Sequence, residues 1–169
     1  PDQLMPFTYT QGSSNRISVA HTVNSCNFPA ASSAGDLLVA SITWRHLTPT
    51  VSAVTDNAAN SYASAAGPVN EANRSQMFYV ANASAGATVV SVAFSVAITA
   101  SLIMITEHSG GAGLSALDVT AVGSGASGHP VTAAFTTNQA DEAFICMVGA
   151  MANSDVFAPG PGYTERLDP

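Results

Sequence analysis

Alternation with a period of two governs this chain. In TVVSVAFS, Thr88, Val90, Val92 and Phe94 fall on one face, and Val89, Ser91, Ala93 and Ser95 on the other. Successive strand residues point to opposite faces, so β-branched and aromatic residues at every second position predict a half-buried strand. Residues 16–23 read the same way, with Ile17, Val19, His21 and Val23 expected on one face. Similar runs cover residues 36–44, 51–55, 76–81, 98–108, 131–137 and 142–151. No stretch of useful length has a helical period.

Clusters of Gly, Pro, Asn and Ser separate these runs, at 30–35, 57–60, 82–86, 109–113, 123–130 and 159–162. Gly accepts positive φ, Asn tolerates it, and Pro fixes φ and ends pairing. Many short strands between such turns predict an all-β antiparallel sandwich or barrel. Residues 83–106 carry no charge and have the length of a membrane span. Ser84, Thr88, Ser91, Ser95, Thr99 and Ser101 interrupt them at many helical angles. Two antiparallel strands joined near Val96 and Ala97 account for the segment better, so no membrane span is expected.

At 169 residues the chain suits one domain spanning 1–169. Residues 1–15 are expected to form an N-terminal arm or edge segment. The Ser- and Gly-rich residues 110–128 are expected to form a long surface loop. The chain opens on Pro1 with no signal-peptide pattern, the expectation for a processed chain or a fragment.

Only 9% of residues are charged, against roughly 25% in an ordinary soluble domain. Arg16, Arg45, Arg74 and Arg166 make up the whole Lys+Arg count of 4, and the net charge is −7. Phosphate backbones and anionic membranes are bound by clustered cations, so neither is an expected partner. Solubility rests on hydroxyls and amides. That suits a neutral extracellular or virion surface, and also a subunit that hides surface in an assembly.

The sequence has no G-x-S-x-G elbow, no H-E-x-x-H and no phosphate-binding glycine loop, and no catalytic residue is assigned. Glu107 and His108 are the best acid–base candidates, and with Asp118 they are the only residues on which a hydrolase or lyase reading would rest. Neighbouring strand positions face opposite ways, which separates Glu107 from His108. His21, His46, His108 and His129 are scattered, and His21 reads as a hydrogen-bonded core histidine. Asp56, Asn57 and Asn60, in VTDNAANSY, have two readings. The carboxylate and amides offer hard oxygens to a calcium ion. They also cap their own backbone in a hairpin turn, with Asn57 or Asn60 expected at the positive-φ position. Calcium is the sole cofactor expectation. Asn57 and Asn60 are also candidate carbohydrate ligands, with Tyr9 as the freest aromatic. Trp44 is expected in the core, and Tyr62, Tyr79 and Tyr163 in strands. Cys26 and Cys146 form either one disulfide or two buried thiols.

Several motifs in order resemble a group of β-sandwich modules found in bacterial secreted proteins and phage structural proteins. They are GDLLVASITW (35–44), VSAVTDNAANSY (51–62), MFYVANASAGATVVSVAFS (77–95), ITEHSG (105–110), ALD (116–118) and GPGYTER (160–166). The resemblance implies a lectin-like or jelly-roll sandwich without known catalysis. Ala59 departs from it where Gly is usual, and His108 where Tyr is usual. The modules run on for another strand or two beyond the position of Pro169. An edge completed by a neighbouring chain or by residues 1–12 is therefore expected. The implied role is a structural module on a virion or extracellular surface that self-associates as a homo-oligomer or docks on a scaffold or capsid-type protein. The alternative is a carbohydrate-binding module with a glycan partner and a structural calcium.

Overall fold

In the computed structural model the described residues are 7–70, 73–110, 117–124, 132–138, 143–149, 158 and 160–167. They form eight strands and no helix. The strands are β1 (Thr8–Ile17), β2 (His21–Asn27), β3 (Leu37–Arg45), β4 (Val51–Asp56), β5 (Ala63–Asn70), β6 (Asn73–Val80), β7 (Val89–Ile98) and β8 (Ser101–Ser109). One sheet has the order β1-β8-β3-β6-β5, the other β2-β7-β4, and every pairing is antiparallel. The fold is a β-sandwich. Apart from the β5–β6 hairpin, each connection between these strands carries the chain from one sheet to the other.

The alternation explains the core. Leu38, Ala40, Ile42 and Trp44 from β3 and Ile103 and Ile105 from β8 meet Val90, Val92, Phe94 and Ile98 from β7. Trp44 is 1% exposed, as the sequence predicts. Its ring lies 5.8 Å from that of Phe94, and its indole N–H donates to the Pro49 carbonyl at 3.0 Å. β3 is buried on both faces along residues 37–44. Its outer side is covered by the C-terminal part of the chain. Met147 Sδ lies 3.9 Å from Thr43 Oγ1, and a Cβ on Gly149 would collide with Ser75 Oγ and stand 2.8 Å from Thr43 Oγ1.

Several sequence expectations are corrected. Ile17, Val19, His21 and Val23 do not share a strand, because the chain leaves β1 after Ile17 and enters β2, in the other sheet, at His21. Val19 is accordingly 70% exposed. The β7–β8 junction lies at Thr99 and Ala100, not at Val96 and Ala97, since Ile98 is still fully buried. Residues 132–138 and 143–149, which fall in runs expected to be strands, join neither sheet. Tyr163 sits in a turn closed by its N–H on the Gly160 carbonyl, not in a strand.

β5 is not marked by alternation. It contains Gly67 and Pro68, and its register with β6 slips twice, an irregularity that an edge strand tolerates. The N-terminal segment supplies β1, paired along β8 as the other edge of the large sheet. Residues 117–124 lie outside strands; the rest of the expected 110–128 loop falls mostly outside the described residues, as do residues 1–6 and His129.

Candidate functional site

Asp56, Asn57 and Asn60 come together in the loop after β4, where their hydrogen bonds close the loop on itself and fasten it to the neighbouring connection. Asp56 Oδ1 accepts from the Ala58 N–H at 2.9 Å and the Asn60 N–H at 3.1 Å. Asp56 Oδ2 accepts from Asn60 Nδ2 at 2.8 Å and the Tyr62 hydroxyl at 3.1 Å. The carboxylate thus serves four donors, which matches the roughly four lone-pair positions it offers. Burial pushes the Tyr62 phenol far above its ordinary range. The Asp56 charge and the hydrogen bond to that carboxylate add to the effect.

The two asparagines reach the neighbouring loop. Asn57 Oδ1 accepts from the N–H groups of Thr88 and Val89, and its Nδ2 donates to the Gly86 carbonyl. Asn60 Oδ1 accepts from the Ser84 N–H at 2.7 Å. Their polar atoms are the fasteners between the β4–β5 and β6–β7 connections. The expected positive-φ asparagine is corrected: Ala59 itself takes that conformation, at φ 58°. Left-handed backbone costs a residue with a Cβ about 1–2 kcal/mol. The Asp56 hydrogen bonds on either side of Ala59 hold it there. Ala59→Gly is therefore expected to raise stability by about 1 kcal/mol in urea denaturation, with the midpoint moved and the slope unchanged.

Sequence reasoning missed a second polar centre at the same end of the sandwich. Glu107 follows Ile103 and Ile105 on the inner face of β8 and is 1% exposed. Glu107 Oε1 accepts from the Ser33 N–H at 2.7 Å. Its Oε2 accepts from Gln11 Nε2. Gln11 in turn pairs with the Ala30 backbone, accepting from its N–H at 2.9 Å and donating to its carbonyl at 3.1 Å. Asp36, 8% exposed at the start of β3, hydrogen-bonds to Glu107. Burial raises the Asp36 carboxyl to about 6, with the Glu107 hydrogen bond and charge acting in the same direction. The period-two parity through Ile103 and Ile105 marks Glu107 as inward-facing. Nothing in the sequence brings Gln11 or Asp36 to it.

The other candidates fall apart spatially. His108 lies on the opposite face of β8 from Glu107, bonded to Thr106 Oγ1 at 2.9 Å. Burial and the nearby Arg166 lower its pKa against the opposing pull of Glu107. Asp118 accepts from the Asn138 backbone and side chain, each at 2.7 Å. Tyr9 is not a free aromatic. The His108 ring packs edge-on at 5.8 Å, and the Arg166 guanidinium lies 4.7 Å from its ring centre. His21 is hydrogen-bonded to Ser101 Oγ and the Val19 carbonyl, both at 2.7 Å, but it is half-buried and stands outside the core cluster. The disulfide is corrected as well. Both thiols are free, with Cys26 buried on β2 and Cys146 exposed. Burial raises the Cys26 thiol, which keeps it protonated and inert. Among the described residues no group of three His, Cys, Asp or Glu side chains is placed to hold a metal. No family model matches this chain, and no curated protein or solved structure matches it either.

Proposed function

We propose that this chain is a non-catalytic structural module of a virion or extracellular surface, which self-associates or docks on a scaffold. The observation that carries this reading is a weakly charged exterior with large apolar side chains exposed on it. Val19, Leu47 and Val96 are 70%, 61% and 54% exposed on a chain in which 9% of residues carry charge. Exposed large apolar groups on a weakly charged surface favour association. The polar residues that would otherwise suggest a site, Asp56, Asn57, Asn60, Gln11 and Glu107, spend hydrogen bonds on groups of their own chain. Light scattering and negative-stain microscopy on the full chain test this. Association that strengthens in salt is the expected result; a monomer at all concentrations, alone and with candidate scaffold proteins, overturns it.

Tyr163 supports a second reading. At 55% exposed it offers an aromatic face of the kind that stacks on sugar rings. A glycan array run in calcium and in chelator separates the two. Binding lost in Tyr163→Ala assigns a carbohydrate-binding module, and loss in chelator alone adds a structural calcium.

A further inference from the structure

β1 is the strand that the core does without. No residue of β1 is buried, and none belongs to the apolar cluster between the sheets. Its neighbour β8 is paired on its other side with β3, from Trp44 opposite Ser101 to Leu37 opposite His108, so β8 keeps its place in the sheet without β1. What holds β1 is main-chain pairing with β8, from Thr8 opposite Ser109 to Ile17 opposite Ser101, and a row of polar side chains. Gln11 bonds to Glu107 and to the Ala30 backbone, Ser13 to Cys26, and Asn15 to Asn24 and the Ser25 carbonyl. Hydrogen bonds contribute little net stability when water takes over the groups that are released. Lifting β1 therefore costs far less than lifting β3, β7 or β8, whose departure would open the apolar cluster.

The connection that follows β1 favours its exchange as well. Ser18, Val19 and Ala20 carry the chain from β1 in the large sheet to β2 in the small one, and all are exposed. The connection contains neither Gly nor Pro, and alternation runs unbroken through it, with Ile17, Val19, His21 and Val23 at every second position. Residues 16–23 thus have the pattern of one straight strand. The single copy bends them instead and leaves Val19 and Val23 70% and 49% exposed. A short connection whose local preference is extended invites exchange of the element it leads to, because the bend is needed only when that element returns to its own sheet.

We infer that β1 is exchanged between two copies: β1 of each lies on β8 of the other, in the register found within one chain, while residues 16–23 straighten into a continuous strand. The partner of this surface is a second copy of the same chain, recognised by the contacts that β1 makes at home. Glu107 and the Ala30 backbone take Gln11, Asn24 and the Ser25 carbonyl take Asn15, and the His108 ring takes Tyr9, each from the other copy. The exchange is reciprocal, so a two-fold axis passes between the straightened connections and brings Val19 of the two copies together. Contacts of β1 are equal in the two forms; release of the bend and burial of Val19 favour the dimer. This inference rests on the assembly reading and specifies its contact.

Mixed chains test it. Ser14 and Met104 stand opposite each other on β1 and β8. Full-length chains with Ser14→Cys and full-length chains with Met104→Cys, all carrying Cys146→Ser to remove the exposed thiol, are unfolded in urea, mixed, refolded at high concentration and oxidised. A disulfide joining the two kinds of chain is the expected result, in the oligomer fraction and not in the monomer fraction. Insertion of Gly-Gly-Ser-Gly after Val19 lets β1 return to its own β8 without the sharp bend. It is expected to weaken dimerisation about ten-fold or more while circular dichroism stays native. An oligomer that gives no disulfide between the mixed chains, or that the insertion leaves undiminished, overturns strand exchange but not assembly. A monomer at every concentration overturns both readings.

Discussion

Asp56→Ala is expected to lower stability by about 3 kcal/mol, on the order of 10 °C in melting temperature for a domain of this size. The substitution removes one acceptor group but strands four donors: the N–H groups of Ala58 and Asn60, the Asn60 side-chain amide and the Tyr62 hydroxyl. It also releases Ala59 from the bonds that hold it at φ 58°. Asn60 then loses its anchor while still bonded to Ser84, so the loss spreads to the β6–β7 connection. Asp56→Asn keeps an oxygen for the two backbone donors and is expected to lose about half as much. Differential scanning calorimetry on the three proteins checks the order. Equal melting of wild type and Asp56→Ala would remove the carboxylate from any role in the fold.

The second large effect depends on pH and is centred on Asp36. Its carboxyl is raised from the ordinary 3.8 to about 6, so between those values the native chain keeps a proton that the unfolded chain has released. Stability from this group is therefore full below about pH 4 and is lost as pH rises through 6. Asp36→Asn carries the neutral form permanently and still offers Glu107 a donor. Variant and wild type are expected to melt together near pH 4. By pH 7 the variant should be ahead by about 2 kcal/mol, on the order of 5 °C, with solvent at the rim of the site reducing the full effect. The difference between the two melting curves isolates Asp36 from the other groups facing the pair, which include Gln11, Ser33 and, across the strand, His108 with Arg166. A difference that does not vary with pH would show that Asp36 ionises as it does in a free peptide.

Period two was the reliable signal where one strand face meets the core, as in β3, β7 and β8. It failed in two physically distinct ways. Across residues 16–23 the parity continued through a change of sheet, because Ser18, Val19 and Ala20 contain neither Gly nor Pro to mark the turn. In β5 the bulges and Pro68 broke the parity although the strand is real, because an edge strand needs a partner on one side only. The loop VTDNAANSY was recognisable as a turn from Asp and Asn alone. Its positive-φ residue was not, because Ala59 is held in place by hydrogen bonds that converge only once the loop has formed. The Gln11–Glu107–Asp36 centre joins three segments far apart in sequence, and no local pattern encodes such a meeting.

The double cover on β3 bears on the order in which the molecule opens. This strand is hydrogen-bonded to β6 on one side and β8 on the other, with the core beneath and the C-terminal segment above. Water has no direct approach to its amides from any of these four directions. Among the described residues β1, β5, β2 and β4 each have one strand partner. Local opening therefore begins at these rims and moves inward, and the free energy needed to expose β3 approaches that of unfolding the whole chain. Ser41 and Thr43, polar residues that look like surface positions, belong to the last part of the molecule to meet solvent.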